Sequence, residues 1–175
     1  NSGGAYGSTS TGPPLNQDYL DINYTTNGGQ NWARINRGPG VSINPGMIYF
    51  YNSSFGFKYS HIGIVYTSRS FDGGNTWVST GLPNLYNQIR SFYFISTLKG
   101  WLSGDNSIVY NTTNSGANWS QQFTPVNANL NEVYFINENT GWIAAGSQGL
   151  LKTTNGGITS VNLINTSVIT QFSLF

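Results

Sequence analysis

The chain has 175 residues, enough to bury a sizeable core as one domain. Charged side chains make up only 7 %, and seven basic against six acidic residues leave a formal net charge of +1, which excludes the electrostatic footprint of a partner such as nucleic acid, an anionic membrane surface or an acidic substrate. No apolar run approaches the roughly eighteen residues of a membrane helix, so no direct membrane insertion is expected, and the lack of cysteine excludes disulfides and thiolate metal sites.

In chain order, the opening "NSGGAYGS" has no initiator methionine and reads as a processed or excised product. "DYLDINY" is then a strand that runs into the turn "TTNGGQNW", ending at Trp32. The next unit has an apolar strand "MIYFYN", a polar link, a short strand from Gly56 and Phe57, and a third strand "IGIVYT". It closes with the turn "SFDGGNTW", ending at Trp77, and a fourth strand. The unit recurs as "RSFYFIS", Gly100 and Trp101, "SIVYNT" and "TTNSGANW", ending at Trp119. It recurs again as "NEVYFIN", Gly141 and Trp142, "GLLKTT" and "TTNGGITS", ending at Ser160. All these strands are short, rich in aromatic and β-branched residues and bounded by Gly, Asn, Ser or Pro.

Three markers keep one beat. The turn ends lie 45, 42 and 41 residues apart, the Gly-aromatic pair opens at Gly56, Gly100 and Gly141, and "YF" stands at Tyr49, Tyr93 and Tyr134. That period signals a repeat architecture, and four strands per repeat with no helical periodicity predict an all-β fold of the β-propeller type. We expect a single domain over 1–175 of about four four-stranded blades. Its units are approximately 1–35 (partial), 36–80, 81–122 and 123–162, with 163–175 as an opening strand. Either the terminal strand closes a small four-bladed ring, Phe172 standing where Val133 does in the preceding unit, or the chain is a section of a larger ring.

The turn residues read as structural: Asn27, Gly28, Gly29 and Trp32; Asp72, Gly73, Gly74 and Trp77; Asn114, Gly116 and Trp119; Asn155, Gly156 and Gly157. Glycine supplies positive φ, the Asn or Asp side chain accepts from backbone N–H groups of its own turn, and the indole folds back as a cover. Together with Trp101 and Trp142, the indoles are expected to pack between blades. At Ser70, Asp72, Gly74, Thr76 and Trp77 the motif resembles the Asp-box, or bacterial neuraminidase (BNR), repeat. The whole period is similar to propellers of the photosystem II assembly-factor kind and their secreted relatives. Asn replaces Asp in three turns and Ser160 replaces the last Trp, both departures from that pattern. The resemblance implies a structural turn lying away from the functional face.

It also implies an enzymatic alternative, a sialidase with an arginine cluster and a Tyr nucleophile backed by Glu. The arginines are Arg34, Arg37, Arg69 and Arg90, and Glu132 and Glu138 are the glutamates. Paired-carboxylate hydrolysis would draw on these glutamates or on Asp18, Asp21, Asp72 and Asp105. Asp105 and His61 occupy equivalent short hairpins, where solvation or capping is the ordinary role. With one histidine and no cysteine, neither metal nor cofactor is expected. Sequons mark Asn23, Asn52, Asn111 and Asn165 as candidate glycosylation sites, Asn118 being a poorer one beside a corner Trp. Tyr6, Tyr19, Tyr59 and Tyr86 stand outside the markers and are expected to be exposed.

The expected function is a non-catalytic, secreted or cell-surface propeller module, a structural or interaction element of a larger homo- or hetero-oligomeric assembly. Its partners would be protein subunits or surface glycans, with Arg37, Lys58, His61, Arg69 and Arg90 as the charged anchors. The alternatives are a sialidase-like glycan hydrolase and an assembly-factor propeller.

Overall fold

The computed structural model describes residues 22–35, 45–61, 65–82, 89–157 and 162–164. The chain divides into two compact units, Asn1–Tyr86 and Asn87–Phe175. In the first, β1 (Ile22–Tyr24) and β2 (Ala33–Ile35) form a hairpin around the first Gly-rich turn. β3 (Pro45–Phe50), β4 (Gly56–His61), β5 (Val65–Ser70) and β6 (Val78–Ser79) follow as an antiparallel sheet in sequential order. The second unit has two further sheets of the same kind. One comprises β7 (Ile89–Phe94), β8 (Gly100–Gly104), β9 (Val109–Thr112) and β10 (Ser120–Gln122). The other comprises β11 (Glu132–Phe135), β12 (Gly141–Ala144), β13 (Leu150–Thr153) and β14 (Asn162–Ile164).

Two of the sequence markers are partners in one contact. Phe50 pairs with Gly56, Phe94 with Gly100 and Phe135 with Gly141 across the first two strands of each sheet. The phenylalanine ring lies over the bare glycine opposite. A Cβ at Gly56 would stand 2.5 Å from the Phe50 ring and one at Gly141 2.5 Å from the Phe135 ring, while at Gly100 it would meet the Phe94 ring. The "YF" strand and the Gly-aromatic strand therefore keep the same beat because one side chain occupies the space the other residue leaves.

The link between these strands is also made alike. Asn52 Oδ1 accepts from the N–H groups of Ser54 (2.9 Å) and Phe55 (2.7 Å), and Asn137 Oδ1 from those of Asn139 (2.9 Å) and Thr140 (2.8 Å). Ser96 Oγ does the same for Leu98 and Lys99. Such side-chain caps satisfy backbone donors that a tight reversal leaves unpaired.

Within the second unit the two sheets pack through a core of Trp101, Val109, Leu130, Val133, Phe135, Ile143, Ala145 and Leu151. The Trp101 ring stacks on Phe135 with centroids 3.6 Å apart and planes 7° from parallel. Its Nε1 donates to Gly156 O at 3.3 Å, and the same carbonyl accepts from Gln122 Nε2 at 2.8 Å. The first strands of the two sheets meet where Val133 N donates to Ser91 Oγ at 3.3 Å. Full burial of aromatic and branched side chains, at roughly 1.5–3 kcal/mol each, is what holds such sheets face to face.

Several expectations are adjusted. Trp101 packs between the two sheets of the second unit, and within their own sheets Trp119 touches Phe92 and Phe94 and Trp77 touches Phe50. Tyr59 is buried rather than exposed, its ring filling the space over Gly46. The last unit continues to Ile164, because Leu163 and Ile164 pair with Leu151 and Leu150 as a fourth strand rather than belonging to an opening one. The remaining residues of the expected closing strand, Phe172 among them, lie outside the described residues.

Candidate functional site

The Gly-rich corner builds the same hydrogen-bond set four times. A hydroxyl two residues before the Asn or Asp donates to its Oδ1 and accepts from the second glycine's N–H. The pairs are Thr25 with Asn27 (2.9 Å) and Gly29 (2.9 Å), Ser70 with Asp72 (2.8 Å) and Gly74 (2.8 Å), Thr112 with Asn114 (3.0 Å) and Gly116 (2.8 Å), and Thr153 with Asn155 (2.9 Å) and Gly157 (2.8 Å). The Asx oxygen also accepts a backbone N–H of the same turn: Asn27 from Asn31, Asp72 from Thr76 and Asn114 from Asn118, each four residues on, and Asn155 from Gly157, two residues on. This last group of contacts is the one the sequence foretold. The hydroxyl's double role was missed, although Thr or Ser at that offset in every copy was its signal.

Asp72 also accepts from Thr76 Oγ1 at 2.6 Å. That hydroxyl, then the Thr76 N–H, then the Ser70 hydroxyl lower its pKa from 3.8 to about 2, since each favours the charged form. The carboxylate is committed to its turn. Trp77 closes over it, donating from Nε1 to Gly74 O at 2.9 Å, and Lys58 Nζ stands 4.9 Å from the indole centroid.

A different surface is built for contact. Alternation along β11 sends Val133 and Phe135 inward and Glu132 and Tyr134 outward. Tyr134 is 49 % exposed and meets Tyr93 of β7 edge to face at 4.9 Å; Ile136, also exposed, continues the strip. These tyrosines are the "YF" marker residues. Ion pairs bracket them: Arg90 with Asp105 at one end, and Lys99 Nζ with Glu138 Oε2 at 3.1 Å at the other. The strip is thus aromatic, with hydroxyls for hydrogen bonds, an ion pair at each end and the exposed Glu132 carboxylate on its own face. An edge-to-face pair is favoured by ring quadrupoles and presents both a flat apolar face and a polar tip.

The remaining predicted residues are dispersed. Lys58 covers Trp77, and the Arg69 guanidinium lies 5.2 Å from the Phe71 ring centroid. His61 ends β4, its backbone paired with Val65. Arg34 lies on β2, and Arg90 is the single arginine of the second unit. Among the described residues no three His, Cys, Asp or Glu side chains gather as a metal group. Of the sequons, Asn52 is exposed at its link, Asn23 and Asn111 sit half-buried on β1 and β9, and Asn118 is exposed beside Trp119. Asp18, Asp21, Arg37, Asn165, Tyr6, Tyr19 and Tyr86 lie outside the described residues.

No family model matches the chain, and no curated protein does. Solved structures do match. The structure of YCF48 bound to a D1 peptide is 20 % identical, with a TM-score of 0.57 over 69 % of this chain and 40 % of its own. YCF48 from Cyanidioschyzon merolae is 23 % identical, with a TM-score of 0.55 over 67 % and 38 %. An ancestral GH74 enzyme is 20 % identical, with a TM-score of 0.64 over 86 % of this chain and 22 % of its own. At these identities the likeness carries the fold, and the four-stranded meanders described above are blades of a β-propeller. The chain spans well under half the length of each of these structures.

Proposed function

We propose that this chain is a non-catalytic propeller module of a surface-exposed assembly, which holds an uncharged stretch of a partner protein, or a glycan, on the strip formed by Tyr93, Tyr134 and Ile136. The observation that carries the reading is the edge-to-face pair of exposed Tyr134 and half-buried Tyr93 between two neutralised ion pairs, a surface suited to stacking and hydrogen bonding. The YCF48 structure with a bound D1 peptide supports it by analogy of fold. The corner at Ser70, Asp72, Gly74, Thr76 and Trp77 belongs, on this reading, to the Asp-box kind and serves as a structural corner. An extracellular setting fits the low charge and the exposed sequon at Asn52.

The GH74 likeness favours a second reading, a glycan hydrolase. Hydrolysis needs a free carboxylate pair across a cleft. Here Asp72 is bound into its turn and Asp105 and Glu138 are ion-paired, which leaves Glu132, exposed on β11, without a second free carboxylate among the described residues.

The chain and its Tyr134→Ala variant should be compared on peptide and glycan arrays beside a glycan hydrolysis screen. Retention without product, weakened about tenfold or more in the variant, as the loss of an aromatic anchor implies, supports the module. Product release would transfer the chain to the hydrolases, and equal retention by the variant would remove the strip from the account.

A further inference from the structure

In the second unit the basic side chains are Arg90, Lys99 and Lys152 and the acidic ones Asp105, Glu132 and Glu138. Arg90 pairs with Asp105 and Lys99 Nζ with Glu138 Oε2 at 3.1 Å, while Lys152 Nζ stands 5.7 Å from the Trp142 ring centroid. Glu132 is left without a counter-ion among the described residues, and all three basic residues of its unit are among those described. Its row across the sheet offers no substitute. Glu132 pairs with Ala144 of β12, and Ala144 with Leu150 of β13, neither of which has a side-chain donor. Along β11 it shares the exposed face with Tyr134, about 7 Å away at roughly 3.4 Å per residue, and so extends the strip at the end opposite Ile136.

We propose that the partner held on the strip is a peptide in which an arginine adjoins the uncharged stretch, and that Glu132 is the residue that selects it. This rests on the reading of the strip as a contact surface and names the chemistry of what it contacts. A guanidinium is planar and always charged, gives two parallel N–H groups to a carboxylate, and lays its face on an aromatic ring. Glu132 supplies the carboxylate, and Tyr134, the next side chain on the same face, supplies the ring. The uncharged residues beside the arginine then lie along Tyr93, Tyr134 and Ile136. Lysine ranks second, because an ammonium meets the carboxylate as a point charge and lacks the planar fork. An acidic residue at that place is opposed by like charge.

The test exposes the folded chain to an array of randomised peptides, then measures the strongest binder by fluorescence anisotropy with its arginine kept or replaced by lysine, citrulline or glutamate. The strongest binders should carry arginine beside an uncharged run. Arginine should bind about fivefold more tightly than citrulline, the scale of one exposed ion pair, with lysine between them, and the advantage should shrink at high salt. Glu132→Gln should abolish that advantage without weakening the citrulline peptide, and Glu132→Lys should transfer it to the glutamate peptide. Tyr134→Ala should weaken all four, with circular dichroism showing each variant folded. Binders without arginine, or an arginine advantage that survives Glu132→Gln, would overturn the inference, and sensitivity to Tyr134→Ala would then still uphold the strip. Retention of glycans and of no peptide would overturn it as well.

Discussion

Trp101→Ala removes the side chain on which the two sheets of the second unit most depend. The indole is fully buried, lies flat on Phe135 at 3.6 Å and donates to Gly156 O. Truncating a buried Trp costs roughly 3–5 kcal/mol through lost transfer energy and the residual cavity. The carbonyl itself is not orphaned, because Gln122 Nε2 still reaches it at 2.8 Å, so no further penalty for an unsatisfied acceptor is expected. Trp101→Phe keeps a ring on Phe135 and should cost less than half as much. Urea unfolding followed by far-ultraviolet circular dichroism reads both, and Phe135→Ala with the double variant completes the cycle. A coupling of roughly 0.5–1.5 kcal/mol is the value for an aromatic pair. A loss below about 1 kcal/mol for Trp101→Ala, or strict additivity with Phe135→Ala, would refute the packing described.

Gly141→Ala should destabilise by about 1–3 kcal/mol through overpacking against the Phe135 ring, and Phe135→Leu in the same chain should recover part of that loss in the same urea assay. The depressed pKa of Asp72 means that its contribution is fully present above the unfolded value of 3.8 and disappears as pH falls through about 2. Asp72→Asn should flatten unfolding midpoints across that window and leave the fold intact, as Asn27, Asn114 and Asn155 do the same work. Ser115 holds φ at 58° where the other turns have glycine, so Ser115→Gly should raise the melting temperature slightly, by the equivalent of up to about 1 kcal/mol, strain relief outweighing the added freedom of the unfolded chain.

Much of this architecture is written locally. Strand identity, the Gly-aromatic openings and the Asx corner all depend on neighbours in sequence, and β3, β7 and β11 start and stop near where "MIYFYN", "RSFYFIS" and "NEVYFIN" place them. β5 was less legible: it runs on through Ser70, beyond "IGIVYT", because backbone pairing with Gly56 holds polar residues in the ladder. Long-range choices were hidden. Nothing in the sequence around Trp119 says that its ring meets Phe92 and Phe94 of its own sheet. Tyr59 is buried because Gly46, thirteen positions earlier, lacks a side chain. For the site, the sequence offered scattered cations, whereas the structure draws Arg90 and Lys99 into ion pairs and leaves Tyr134 exposed against half-buried Tyr93. Within the recurring "YF", alternation gives the phenylalanine the inside, while Tyr134 faces out and Tyr93 stays half-buried beside the core.

Amide hydrogen exchange at Gly29, Gly74, Gly116 and Gly157 tests most directly whether one corner is built four times. Each N–H is bound to the hydroxyl four residues before it at 2.8–2.9 Å, so all four should exchange slowly. Free exchange at any of the four would contradict the shared network from which the blades have been argued.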